Sequence, residues 1–396
     1  MPRNPDKIDY SGGFPTGFET FNSLTDPRST GNTKHHFGEV IFIAFTSILC
    51  GITSYDLFEE FALANEKWFR KWLKLPHGIP SFMTFARVLE ALDPELFAQC
   101  IVHHLRSVGV VHSEEQIAID GKALRGSRTK EERHLHAVSA WACETGVTLA
   151  QSFVDKKSNE ITAIPELLKL LNLENTVITI DAMGTQRAIA QQIIENKGDY
   201  ILCVKENQKS LHDEISDHFH FASTQLDTIQ LHSESWSHHV KEEQNRGRTE
   251  RRVTLVCTSL DWMDKEIKKG WLGLKSIILV QRQVKVEGKD WRLETHFYIS
   301  SLEHEGAESM QQYIRSHWRI ENSCHWVIDT LFREDHNQTG KRNAAKNLST
   351  LRRIALNTLT NAPDKSRRKK QSSLPMKQLW AAQSEQYRET ALSLVL

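Results

Sequence analysis

Three acidic residues carry most of the chemistry that this sequence can offer. Asp120 ends the apolar run Ile117-Ala118-Ile119 and is followed by Gly121 and Lys122. Asp181 ends Thr176-Val177-Ile178-Thr179-Ile180 and is followed by Ala182-Met183-Gly184. A short apolar run bounded by turn residues reads as a strand buried on both faces. Each carboxylate then falls at the carboxyl end of a strand, where open α/β sheets place their ligands. Both residues also have a purely structural reading: Asp181 as the cap of the next helix, and Asp120-Gly121 as a hairpin turn. The third acid is Glu321. Ile314, Trp318, Glu321, His325, Ile328 and Phe332 step by four and three, which predicts one core-facing seam on a long helix over Ala307–Phe332. A carboxylate buried in such a seam needs a cation, either Arg315 or Arg319 or a metal. Three carboxylates at one point repel unless divalent ions neutralise them. Hard oxygen ligands suit Mg²⁺, and two such ions can clamp the oxygens of an in-line phosphoryl displacement. The chain has no Walker loop and no G-x-G-x-x-G, which speaks against ATP or NAD.

The elements that must position these acids follow from periodicity. Residues 1–34 are rich in Gly, Pro, Asn and Ser and read as a flexible lead-in. From 35 to 112 the pattern is helical: a helix apolar nearly all round at Val40–Leu49, which should be buried, an amphipathic one over Ser54–Lys74, and Phe82–Leu92 with Ser81 as its N-cap. This small all-helical domain is either a packing unit or a helix-turn-helix that reads DNA. Residues 113–360 then change period. Strands at 117–119, 135–141 and 147–154, a helix at 161–171, a strand at 176–180, a helix at 186–197 and a strand at 200–205 give the order β-β-β-α-β-α-β. That is an α/β chain in the order of the ribonuclease H-like fold, with the first and fourth strands parallel neighbours at the centre of a mixed sheet. Residues 206–304 read as a β-containing insertion: a solvated, His-rich helix and loop (His212, His218, His220, His232, His238, His239), a strand at Val253–Cys257, and a hairpin of Ile277–Val286 with Trp291–Ser300. No cysteine joins these histidines at ligand spacing, so zinc is a poor reading. Residues 361–396 read as a basic linker and tail.

Composition sets limits. The 396 residues are 39% hydrophobic and 25% charged, which suits a globular protein with a real core. Fifty Lys and Arg balance fifty Asp and Glu, so any nucleic-acid contact must come from local patches. Between Gln338 and Ser373 ten Lys and Arg face a single acid, Asp364, and that surplus can serve phosphates. Six scattered cysteines without a C-x-x-C pair suggest reduced thiols. The longest apolar run, Val40–Gly51, is too short to span a bilayer and no secretory leader opens the chain, so the expectation is a cytoplasmic protein with no membrane partner.

Four stretches resemble one known family. Ile117–Gly126, Lys157–Pro165, Val177–Gln186 and His317–Trp326, together with Gly78–Ser81 and Thr84–Val88 nearer the amino terminus, are similar to bacterial insertion-sequence transposases. The nearest branch contains the H-repeat-associated proteins of Rhs elements. The resemblance runs from about Asp26 to Leu359. It implies an Asp-Asp-Glu site, with Asp120, Asp181 and Glu321 at the matching positions. It further implies Mg²⁺ (or Mn²⁺ in its place), double-stranded DNA as terminal inverted repeats and target, a homodimer in the active complex, and strand cleavage followed by strand transfer. A nuclease without strand transfer, or a DNA-binding descendant whose chemistry is lost, remain alternatives. The candidate DNA contacts are Lys205, Arg246, Arg248, Arg251, Arg315, Arg319, Lys341 and Arg342. Some related transposases carry Tyr, Arg and Lys around the glutamate where this chain has Ile314, His317 and Ile328, so those roles do not carry over.

Overall fold

The computed structural model describes residues 24–28, 33–99, 116–128, 134–154, 160–224, 235–245, 247–286, 290–339, 341–365 and 372–393. The lead-in through residue 23, Lys157 to Asn159, His232, Arg246, the hairpin turn at 287–289 and the basic run at 366–370 lie outside the described residues.

Among the described residues nine strands form one sheet. They are β1 (Gln116–Leu124), β2 (Leu135–Ala142), β3 (Thr148–Val154), β4 (Val177–Ile180), β5 (Asp199–Val204), β6 (Trp236–Asn245), β7 (Arg248–Cys257), β8 (Ser276–Val286) and β9 (Arg292–Ser300). Their order is β3-β2-β1-β4-β5-β9-β8-β7-β6. β1 runs parallel to β4 with Ile119 opposite Ile180, so Asp120 and Asp181 follow at the same level on neighbouring strands. β4 is parallel to β5, and β5 is antiparallel to β9. Strands 236–300 therefore continue the same sheet as an antiparallel meander. The sequence reading finds three of those four strands and misses β6, whose Trp-Ser-His-His-Val-Lys-Glu-Glu-Gln-Asn is polar nearly throughout. An outermost strand has one unpaired edge facing water, and charged residues there block further pairing.

Alternation along the strands sorts residues to two faces. On one face Ile117, Ile119, Ile178, Ile180 and Leu202 pack with α4 (Glu160–Lys169), α5 (Arg187–Glu195) and α6 (Lys209–Thr224) through Leu167, Ile193 and Ile215. α6 is half of the stretch read as solvated, yet Leu211, Ile215 and Phe219 anchor it in this core. On the other face Ala118, Ile201 and Cys203 meet α7 (Ala307–His317) and the helices beyond it. Asp120 shares its parity with Ala118, and Asp181 with Thr179. Both acids therefore point to the α7 face.

The helices at the two ends of the chain share one core. α1 (Phe37–Leu49) is buried along its whole length, its Glu39, Thr46 and Ser47 included. α2 (Tyr55–Ala64) is shorter than the expected Ser54–Lys74: Asn65 sits at its C-cap, its side-chain amide donating to the Phe61 carbonyl at 2.9 Å. α3 (Phe82–Ala91) begins after Ser81, whose hydroxyl meets Thr84 Oγ1 at 3.3 Å and makes no cap to a backbone N–H. These three pack with α9 (Arg342–Asn361) and with α10 (Leu374–Gln383) and α11 (Glu385–Ser393), two helices inside the stretch read as linker and tail.

The helix after the sheet departs most from expectation. It is not one regular helix over Ala307–Phe332: α7 ends at His317, residues Glu321–His325 form a π-helical turn, and α8 (Trp326–Thr330) follows. The end of α7 at His317 and the π-turn after it break the seam. Ile314, His325, Ile328 and Phe332 are buried as expected, whereas Trp318 and Glu321 are exposed. π-turns of this kind occur often at functional sites.

Candidate active site

The site is built at the end of β4 and the middle of β1, one residue past their last parallel pair. At β4 the carboxylate Oδ1 of Asp181 accepts the backbone N–H of Met183 at 3.1 Å and of Gly184 at 3.2 Å. It organises the turn itself. The N-cap of α5 is Gln186, so the capping reading of Asp181 does not hold. Gly184 has no room for a side chain, because a Cβ would run into Ile180 and Ile164. Thr185 Oγ1 ties the turn to β5 by donating to the Cys203 carbonyl at 2.6 Å. At β1, Asp120-Gly121 lies inside a strand that continues to Leu124, so it is not a hairpin turn. Gly121 is required for closeness: a Cβ there would strike the carboxylate of Glu160, the first residue of α4. Glu160 is buried and has His136 Nδ1 at 3.4 Å from its Oε1. Sequence reasoning gave it no role, although it stands in one of the motifs that carry the family resemblance.

Asp120, Asp181, Glu321 and Lys205 line one cavity of about 250 Å³, together with Thr179, His296, Tyr298, His317, Trp318 and His325. Desolvation by burial, then the charge of Asp181 and further that of Glu321, push the Asp120 carboxyl up to about 7. His325 Nδ1 stands 3.5 Å from Asp120 Oδ2. Burial and the nearby Arg353 and Lys122 charges push that imidazole down to about 3, so it is neutral. Its Nε2 is buried with no hydrogen-bond partner among the described residues. His317 is pinned by Thr179 Oγ1 at 3.0 Å from its Nδ1, and burial lowers it to about 4. Thr179 in turn accepts from Gln116 Nε2 at 3.1 Å, which also donates to the Tyr313 carbonyl at 2.8 Å. The histidine that departs from the family pattern thus fastens the end of α7 to the two aspartate strands.

The fit to a divalent cation can be judged from this donor set. The three acids offer hard oxygens, and their mutual repulsion raises Asp120 in the way that a cation would relieve. They line the cavity without closing on a common point: among the described residues, no three of His, Cys, Asp and Glu stand near enough to enclose an ion. Glu321 differs from its sequence reading. It is exposed at the cavity, and neither arginine neighbour pairs with it. Arg315 forms a two-pronged pair with Glu243 at 2.7 Å and 2.7 Å, and the Arg319 guanidinium lies 5.8 Å from the Trp141 ring. The burial argument for Glu321 therefore fails, while its place beside Asp120 and Asp181 stands.

Arg248 and Arg251 do not line the cavity. Arg248 pairs with Glu250 at 2.9 Å and Arg251 with Glu242 at 3.1 Å. Lys341 is exposed ahead of α9, and Arg342 is the first residue of that helix. Of the basic stretch after Gln338, Arg352 and Arg353 are buried and face Glu334, so they are core ions and not phosphate contacts. The five described cysteines are buried, and no disulfide joins them. No helix among the described residues is long and apolar enough to cross a membrane.

A mixed α/β sheet with two aspartates just past the last parallel pair of β1 and β4, and a glutamate in the π-turn that follows α7, defines an acidic site at the sheet centre. The chain belongs to the DDE transposases of insertion sequences, in the branch that includes the H-repeat-associated proteins. The family described as "Transposase DDE domain" matches residues 112–358, and one described as "DDE_Tnp_1-associated" matches 18–105. The chain is 35% identical to "Putative transposase YncI" of Escherichia coli O157:H7, over 86% of each chain. It is 31% identical to "H repeat-associated putative transposase YhhI" of Escherichia coli K12, over 87% of this chain and 90% of that one. Among solved structures it is similar to the piggyBac transposase in a synaptic complex with hairpin DNA, at 11% identity and a TM-score of 0.42, covering 96% of this chain and 77% of that one.

Proposed function

We propose that this protein cuts and joins DNA strands at the ends of its own insertion element by divalent-cation-dependent phosphoryl transfer. The sheet is read as ribonuclease H-like, with residues 206–304 inserted before the glutamate helix and a helical domain ahead of β1. The observation that carries the proposal is the meeting of Asp120, Asp181 and Glu321 in one cavity where the parallel pairing of β1 and β4 ends. Asp120, Asp181 and Glu321 would hold Mg²⁺, or Mn²⁺ in its place. When bound, such ions neutralise the charge that gathers on the phosphate oxygens. The protein's own groups do the rest. Asp181 gives one oxygen to its turn and so fixes the direction of the other. Neutral His325 sits against Asp120 without adding charge, and Lys205 at the wall of the cavity can meet a phosphate.

The test uses purified protein and double-stranded DNA that carries the element's own flanking repeats, with and without Mg²⁺. Wild type is expected to nick the repeat ends and to join them to a second DNA. Asp120→Asn and Asp181→Asn should each lose about a thousandfold in cleavage while DNA binding is retained. Cleavage by either variant near the wild-type rate would remove these residues from the site. Cleavage without joining would identify a nuclease.

A further inference from the structure

Two residues beyond Asp120 on the same strand, Lys122 is buried and has no part in the chemistry above. Its Nζ lies 2.8 Å from Asp329 Oδ1, 3.1 Å from Asp335 Oδ1 and 3.3 Å from Glu334 Oε2. Glu334 accepts from Ser349 Oγ at 2.7 Å and pairs with Arg353 at 3.1 Å. A lysine withdrawn from water among three acids and two arginines is a costly arrangement. If stability alone were served, apolar residues of the same volume would do as well.

The geometry gives it another use. Residues two apart on a strand face the same side, about 6.6 Å from each other. Residues four apart on a helix face the same side, about 6 Å from each other. Asp120 and Lys122 form such a pair on β1, and His325 and Asp329 form one on the helix that follows Glu321. The contacts match rung for rung: Asp120 with His325 at 3.5 Å, and Lys122 with Asp329 at 2.8 Å. A slip of the helix by one residue turns it by roughly 100° and breaks both rungs together. His325 of the first rung is the last residue of the π-turn, and at the other end of that turn stands Glu321. Asp335 and Glu334, on the far side of Lys122, fix the lysine from behind and join it to α9 through Arg353.

We propose that Lys122 and Asp329 are positioning residues: their ion pair, with the Asp120–His325 contact beside it, sets the register of the glutamate helix on β1 and so the distance between Glu321 and Asp120. This inference rests on the reading of those carboxylates as the cation site.

Asp329→Asn is the test of choice, because it keeps the shape and leaves Lys122 its two other acids. Mn²⁺ binding to the DNA-free protein is followed by calorimetric titration, metal-free stability by thermal melting, and strand cleavage across Mn²⁺ concentrations. The expected result is a metal-free melting temperature close to wild type, Mn²⁺ binding weakened about tenfold to a hundredfold, and half-maximal cleavage shifted by the same factor. Asp329→Glu, which keeps the charge, should bind Mn²⁺ within about threefold of wild type. Wild-type Mn²⁺ affinity in Asp329→Asn would overturn the inference alone, and so would a loss that merely tracks a lowered melting temperature. A wild-type protein that binds no Mn²⁺ would overturn both this inference and the functional reading beneath it.

Discussion

Burial and the charges of Asp181 and Glu321 hold the Asp120 carboxyl at about 7, far above an ordinary aspartate near 3.9. The sign of the consequence is fixed by proton linkage. Between those two values the folded chain holds a proton that the unfolded chain has released, so stability falls as pH rises. The contribution of this group is complete below about 4 and is gone above about 7. A metal-free wild-type protein should therefore lose melting temperature between pH 5 and pH 8 relative to Asp120→Asn, which cannot ionise there. Parallel melting scans of the two proteins check it, and curves that stay a constant distance apart would show that Asp120 is not the strained carboxyl. Mg²⁺ binding should weaken about tenfold for each pH unit below 7, since the ion competes with that proton. At this scale the sequence was informative about the aspartates, because a strand end is written in a few adjacent residues. It misled on Glu321, because burial on a helix depends on every turn before it being regular.

The π-turn at Glu321–His325 is the element that changes the outcome for Glu321. Such turns hold one residue more than an α-helix of equal rise. Removing one exposed residue inside it, Asn322, should restore the regular ladder without moving α7 or α8 off their cores. Ile314 and Ile328 anchor the two sides and are buried. The expected variant folds, melts within about 5 °C of wild type, and has lost strand cleavage because Glu321 no longer faces Asp120. Full cleavage by the deleted form would show that the turn is incidental. Other elements were legible to the degree that their pattern was local. β1, β4 and β5 announce themselves as apolar runs, and β8 and β9 as a hairpin. β6 does not, since an edge strand carries the charges that pattern reading assigns to loops. The break after α2 was missed for a related reason: Phe61, Trp68 and Phe69 keep helical spacing across Asn65, where the backbone does not.

Across the whole molecule, distance in sequence is a poor guide to neighbourhood. Arg388, near the carboxyl end, is buried with its guanidinium 4.7 Å from the Trp68 ring and 5.2 Å from Phe61, and it donates to the Ala381 and Ala382 carbonyls at 2.8 Å each. Lys377 reaches back to cap α9, donating to the carbonyls of Leu359, Thr360 and Ala362. Nothing in the local pattern of residues 372–393 foretold the seat of Arg388 on Phe61 and Trp68, rings that lie more than three hundred residues away in the chain. The same folding divides the charges. A net charge of zero conceals three populations: cations buried with Glu334 (Arg352, Arg353), cations already paired on the surface (Arg248, Arg251, Arg315), and exposed ones such as Lys205 and Lys341. Only the last population can release counterions from DNA without first breaking a pair. Affinity for element-end DNA should fall with salt, and Lys205→Ala combined with Lys341→Ala should lower the slope of log K against log salt by about 1.8, roughly 0.9 for each phosphate contact. Arg353→Met should leave that slope unchanged and lower the melting temperature, since it removes one of the cations that face buried Glu334, at a cost of up to about 3 kcal/mol. Arg248→Ala with Arg251→Ala should change the slope by less than the lysine pair, because each arginine already faces a glutamate. Fluorescence anisotropy across a salt series measures all three. A slope that drops most when Arg248 and Arg251 are removed would mean that DNA displaces Glu242 and Glu250, and the outer strands β6 and β7 would then be the principal phosphate surface.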